Sequence, residues 1–131
     1  MKFDLEERLI IFAVLILEIT EKLPETKGSN HLSSQLVRSG TAPALHYGEA
    51  QSAESRKDFI HKMKIALKEM RESLICLKII ERKKYLGDQS ILHSLTELNE
   101  LISIFVKSIE TAKKNLRNTE YRTSLPAGRR E

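Results

Sequence analysis

The side chains in this sequence with the clearest potential for chemistry are cations. Lys57, Lys64, Lys68, Arg71, Lys78 and Arg82 recur at steps of three, four or seven residues, with His61 in phase. On a helix that spacing stacks them along one face. A row of like charges is an anion site, most simply for the phosphates of RNA or DNA. Affinity from such a row comes largely from counterion release and falls steeply with salt. The aromatic side chains on which unpaired bases stack are absent from it. The same spacing also allows a solvated face, or one paired with acidic helices of this chain or of a neighbouring subunit.

Other chemistries find less support. A di-iron bundle needs Glu-x-x-His pairs on two helices and two further glutamates, and the nearest match is a single Asp58-x-x-His61. His31, His46 and His93 have no ligand-spaced companion, and Met63 and Met70 stand at core-packing intervals. Arg38-Ser39-Gly40-Thr41 combines hydroxyls with a cation but has no general base near it in sequence. There is no glycine-rich phosphate loop, no His-Glu-x-x-His and no Cys-x-x-Cys. The lone Cys76 cannot form an internal disulfide. It reads as a small buried hydrophobe in a reducing compartment, which places the protein in the cytoplasm. The expectation is a non-enzymatic protein with no metal and no cofactor.

The elements that would carry these residues follow from composition and period. The chain has 131 residues, 31% of them charged and 5% aromatic, with no tryptophan. That is enough for one domain with its own core. Leu5, Leu9, Phe12, Ile16, Ile19 and Leu23 step by three and four and predict a first helix from Asp4 to Leu23, ended by Pro24. A second is predicted over Ser29–Ala50, kinked or broken at Pro43, with the small residues Gly40, Ala42 and Ala44 admitting a close neighbour. A third spans Ser55–Lys84 with Phe59, Met63, Ala66, Met70, Leu74 and Leu77 inward, and Gly87 as the left-handed residue after it. The fourth runs from Asp88 to Leu116 on Ile91, Leu95, Leu98, Ile102, Phe105, Ile109 and Ala112. These predict an all-α, antiparallel up-down-up-down four-helix bundle over residues 1–117, with residues 118–131 as a flexible basic tail. A pair of helical hairpins that completes its core by dimerising is the alternative.

Helix one carries more apolar surface than one core requires. Leu9–Leu17 is an unbroken apolar run, too short to span a bilayer, which takes about 20 residues. Asp4, Glu6 and Glu7 precede it, so it lacks the cationic start of a signal peptide. Ile10, Val14 and Leu17 lie opposite the seam, flanked by Ile11 and Leu15, and in helix three Ile65, Ile75, Cys76 and Ile79 lie off the inner face. A whole extra stripe marks an interaction surface, and Ile10, Val14, Leu17, Ile65 and Ile79 are the expected contacts of a homo-oligomer. Charge is also segregated: residues 55–84 hold ten Lys and Arg against four Asp and Glu, whereas residues 1–27 hold four against six and residues 85–111 one against four. Lys113, Lys114, Arg117, Arg122, Arg129 and Arg130 would add a cationic arm.

The stretch Leu36–Ile80 resembles a bacterial four-helix-bundle family encoded in intervening sequences of the large-subunit ribosomal RNA gene. The resemblance rests on Arg38-Ser39-Gly40-Thr41, Ala44, Glu49-Ala50, Ser55, Asp58-Phe59-Ile60, Lys62, Ile65 and Lys68-Glu69. Ala42-Pro43, Leu45 and Leu77–Ile80 depart from the family pattern. The resemblance implies an up-down bundle assembled as a ring-like homopentamer. It also implies a genetic link to ribosomal RNA, and kinship with basic accessory proteins of diversity-generating retroelements that bind nucleic acid and a reverse transcriptase. Function is therefore expected to be RNA or other nucleic-acid binding by an oligomer; a protein-interaction scaffold or adaptor is the alternative.

Overall fold

A computed structural model describes residues 4–129. Four helices follow one another: α1 (Leu5–Lys22), α2 (Lys27–Gln51), α3 (Arg56–Lys83) and α4 (Ser90–Ser124), with a 3-10 turn at Ala127–Arg129 and no strand among the described residues. Their starts are set by short polar side chains that satisfy otherwise unpaired amides. Asp4 accepts from the Glu7 amide at 3.0 Å, Thr26 from Ser29 at 3.2 Å and Ser55 from Asp58 at 3.0 Å. Asp88 takes the Ser90 amide at 2.9 Å at the start of α4.

Each helix packs on its neighbours in chain order, and α4 returns to α1, so α1 and α3 stand at opposite corners. Contacts across each pair run antiparallel. Arg8 of α1 meets Glu97 and Glu100 of α4 while Lys22 meets Asp88; Arg38 of α2 meets Glu69 and Glu72 of α3 while Glu49 meets Lys62. The expected four-helix bundle is what forms. Phe12, Ile16, Leu36, Met63, Met70, Leu77, Leu98 and Phe105 fill its centre with almost no exposure. Tyr47 of α2 and Phe105 of α4 cross the core diagonal with ring centroids 5.9 Å apart.

Arg38-Ser39-Gly40 is the tightest join. A side chain on Gly40 would place its Cβ 2.7 Å from Ile16 Cγ2, so the missing side chain is what lets α2 lie against α1. One residue earlier, Ser73 Oγ of α3 donates to Ser39 Oγ at 2.7 Å with both residues fully buried. Arg38 spans outward from the same turn to Glu69 at 2.5 Å and to Glu72. Consecutive residues of α2 thus fasten it to both neighbours.

Of the kink and the break expected at Pro43, the break does not occur: Pro43 is buried inside one continuous α2. The ends of α3 and α4 differ from expectation. The left-handed residue after α3 is Lys84, at φ 58°, not Gly87. The reversal must come as soon as the buried Ile80 has been passed; the Tyr85 amide donates back to the Ile80 carbonyl at 3.4 Å, and Tyr85 and Leu86 turn onto the core. Finally, α4 continues to Ser124, through the first part of the expected flexible tail. Arg56 reaches the Asn115 carbonyl at 3.1 Å and Thr119 Oγ1 at 2.8 Å, and no glycine or proline intervenes before Pro126. Pro126 and the 3-10 turn at Ala127–Arg129 follow, and the last two residues of that tail, Arg130 and Glu131, lie outside the described residues.

Candidate nucleic-acid interface

Lys57, Lys64, Lys68, Arg71, Lys78 and Arg82 are all exposed on the outer face of α3, as is His61. At 1.5 Å per residue the row extends over about 38 Å. Lys57 approaches Glu120 of α4 at 3.6 Å; the other five make no ion pair among the described residues.

Most of the acidic side chains that might have neutralised the row are engaged elsewhere; Glu120 meets Lys57, and Glu110 of α4 lines a groove beside Lys64 and Lys68. Glu69 and Glu72, on α3 itself, point to Arg38 on the α2 side and help hold its guanidinium charge on, raising its pKa above the ordinary value. Lys62 turns the same way, to Glu49 at 3.0 Å, which raises the ammonium pKa and lowers that of the carboxyl. On α4, Glu97 and Glu100 serve Arg8 of α1. The acidic α1 stands across the bundle diagonal. Pairing within the chain therefore leaves the outer face of α3 with an excess of cations, against which Glu120 and Glu110 of α4 stand.

Between α3 and α4 lies a groove of about 440 Å³. Lys64, Lys68 and Arg71 form one wall and Lys113 and Glu110 the other, over a floor of Leu67, Val106 and Ile109. Lys113, first assigned to a cationic arm, is held in α4 and faces these three cations. Its step from Val106 and Glu110 is the helical signal that identifies it. Lys114, Arg117 and Arg122 likewise sit on α4.

The expected self-association residues divide by position. Ile10, Val14 and Leu17 of α1 are 44%, 48% and 39% exposed, joined by Ile11 at 58%. On α3, Ile79 is exposed and Ile75 beside it more so, while Ile65 is half-buried and Cys76 is buried. Burial also raises the Cys76 thiol pKa, with Glu72 adding to the shift.

Another groove, of about 950 Å³, lies between the α2–α3 turn and α4; Phe59, Ile104 and Ala112 are among its lining, with Arg56, Lys107 and Ser108, and no histidine or cysteine borders it. Among the described residues no three His, Cys, Asp or Glu side chains gather as a metal site, and no helix is long and apolar enough to cross a membrane.

Residues 2–107 match the family described as 23S rRNA-intervening sequence protein. The chain belongs to that family. Among solved structures it is similar to a crystal structure, at 1.70 Å resolution, of a protein with unknown function from the S23 ribosomal protein family of Bacteroides thetaiotaomicron. The TM-score is 0.75 at 29% identity, covering 81% of this chain and 98% of that one. No curated protein matches the chain. The 23S rRNA-intervening sequence family match takes in all of α3 and its basic row but stops within α4. Lys113, and the Asn115 and Thr119 contacts to Arg56, belong to a segment beyond it.

Proposed function

We propose that this member of the 23S rRNA-intervening sequence family is a non-enzymatic, cytoplasmic homo-oligomer that binds RNA through the outer face of α3. The observation that carries the reading is the row of cations from Lys57 to Arg82, almost free of ion pairs although acidic side chains are plentiful in the chain. The phosphate-binding part is its first half, Lys57, Lys64, Lys68 and Arg71, widened across the groove by Lys113. Backbone contacts of this kind give affinity with little sequence preference. Lys78 and Arg82 extend the row but flank the exposed Ile75 and Ile79, which suits a protein neighbour better than a phosphate backbone.

Titration of labelled RNA by fluorescence anisotropy across a salt series tests the RNA reading. With four or five phosphates neutralised, log affinity should fall with log salt at a slope of about −3 to −4. Replacing Lys64→Glu and Lys68→Glu together should weaken binding at least about tenfold and flatten that slope by roughly two, with helicity unchanged. Undiminished binding would remove α3 from the interface. Assembly is tested separately by light scattering on nuclease-treated protein; the family resemblance implies five copies, and a monomer at all concentrations would refute the oligomer.

A specific observation also favours the scaffold reading: Ile75 and Ile79 interrupt the basic row with apolar surface. If Lys78→Glu with Arg82→Glu changes assembly and leaves RNA affinity intact, the second half of the row serves a protein contact.

A further inference from the structure

The two exposed apolar stripes of this bundle differ in the sign of the charge around them. On α1, Ile10, Ile11 and Val14 line a shallow groove of about 350 Å³ with Glu7, Glu18 and His93. Leu17 and Glu21 continue the same face. The cations of α1 are turned away from it: Arg8 pairs with Glu97 and Glu100, and Lys22 with Asp88. The outer face of α1 thus presents apolar side chains and carboxylates. On α3, Ile75 and Ile79 stand out as a ridge between Arg71, Lys78 and Arg82, with the α3 carboxylates Glu69 and Glu72 drawn to Arg38. That face presents apolar side chains and cations.

We infer that the outer face of α1 in one copy docks on the second half of α3 in the next copy, head to tail, with the Ile75–Ile79 ridge in the Ile10–Val14 groove. The inference rests on the oligomer proposed above and specifies its contact. Three features commit the occupant to a second copy of this chain. The charges are complementary: the α1 face carries Glu7, Glu18 and Glu21 with His93 at its rim, and the α3 face carries Arg71, Lys78 and Arg82, with Glu72 beside it paired to Arg38 and Glu81 at its end. The dimensions agree: Glu7 and Glu18 are separated by the same number of residues as Arg71 and Arg82, about 16 Å along a helix, with the apolar side chains between. A ridge of side chains entering the groove of another helix is also the ordinary way helices pack.

The placement of the two faces has a further consequence. Because α1 and α3 occupy opposite corners, one copy can offer both faces at once. Two different surfaces meeting make a heterologous contact, which propagates to a ring or a filament instead of stopping at a two-fold dimer. The docked region of α3 starts beyond Lys68, so Lys57, Lys64 and Lys68 stay open to phosphate, with Arg71 at the border.

Charge exchange tests the pairing. One variant carries Glu18→Lys and Glu21→Lys; the other carries Lys78→Glu and Arg82→Glu. All four residues are exposed, and circular dichroism checks that both fold. Light scattering of the nuclease-treated full-length chains at low salt is expected to show an oligomer for the parent. Each variant alone should dissociate at concentrations at least about tenfold higher than the parent, because like charges then face each other. The two variants mixed, or all four substitutions in one chain, should regain assembly, since each reversed face again meets its opposite. A parent that is monomeric overturns the oligomer itself. A parent oligomer with variants of unchanged size overturns only the α1–α3 contact. Loss of assembly without recovery on mixing or combination shows that the two faces do not meet.

Discussion

Gly40→Ala should destabilise the protein, and should do so because of Ile16. The new methyl carbon would stand 2.7 Å from Ile16 Cγ2, 2.9 Å from Cγ1 and 3.1 Å from Cβ. Ile16 is fully buried and branched at Cβ, so it has few rotamers into which to withdraw. Overpacking of this kind costs about 1–3 kcal/mol. Against it stands the better helix propensity of alanine, worth about 1 kcal/mol. The net expectation is a loss of about 1 kcal/mol. Ile16→Ala alone should cost about 2–5 kcal/mol through the cavity it leaves. In that background the two γ-carbon clashes are gone, only the 3.1 Å contact needs a few tenths of an ångström of relief, and the methyl added by Gly40→Ala fills part of the void. Gly40→Ala should then stabilise by roughly 1 kcal/mol, a coupling of about 2 kcal/mol between the two sites. Urea denaturation of the four proteins, followed by circular dichroism, measures the cycle. Effects that add within about 0.5 kcal/mol would show that Gly40 is not where α2 meets α1.

Three further outcomes follow from the same geometry. Ser39→Ala or Ser73→Ala should each cost about 1–3 kcal/mol, since each strands a buried hydroxyl, while the double replacement should be nearer neutral; chemical denaturation distinguishes the two patterns. Cys76 should react slowly with a thiol reagent in the native state at neutral pH and rapidly once unfolded, because burial both blocks the sulfur and disfavours the thiolate; equal rates would contradict its place in the core. The carboxyl of Glu49, paired with Lys62, has its pKa lowered, as does that of Asp88 beside Ser90 and Lys22. Their stabilising contributions are present above the ordinary carboxylate range and lost as pH falls through the lowered values, so Glu49→Gln should flatten the acid limb of a stability–pH profile.

Helix positions were legible in the sequence because apolar period and capping agree: Asp4 and Ser55 cap where the spacing begins, and the seam of α1 is buried residue for residue. Where a boundary was misread, something other than period controlled it. The end of α3 is set by Ile80 reaching the core, which forces Lys84 into a conformation that sequence alone assigns to glycine. The end of α4 is set by Pro126, because polar residues such as Asn118 and Thr119 continue a helix when Arg56 can hold them. The basic row was visible by spacing. That it would be left unpaired was not, since it depends on Arg38, Glu49 and Arg8 engaging the nearby opposite charges, which are tertiary contacts between residues far apart in the chain. Lys113 lies within the expected fourth helix, but that it faces Lys64, Lys68 and Arg71 depends on how α4 packs against α3, which its spacing alone does not give.

The pairing pattern itself bears on function. Exposed ion pairs contribute little to stability individually, so Lys62–Glu49 and Arg38–Glu72 do more to sort charge than to hold the bundle together, while the half-buried Arg8–Glu97 pair does both. Their effect is to neutralise the seams between helices and leave the outer faces of α1 and α3 with opposite sign. A row of like charges along α3 raises the self-repulsion of the folded monomer. Either an acidic neighbour or a polyanion relieves that repulsion, and the two halves of the row differ in which they suit. Around Lys64, Lys68 and Arg71, α4 adds both Lys113 and Glu110, so the cationic excess of α3 stands, which favours a polyanion. Around Lys78 and Arg82 exposed isoleucines intervene, which favours an apolar and acidic helix. If the halves are separate sites, Lys64→Glu with Lys68→Glu should weaken RNA binding in a protein that assembles as the parent does, and Lys78→Glu with Arg82→Glu should weaken assembly and spare RNA binding. If both pairs of substitutions impair both properties to the same extent, the row is one surface, and its division between RNA and a neighbouring copy is wrong.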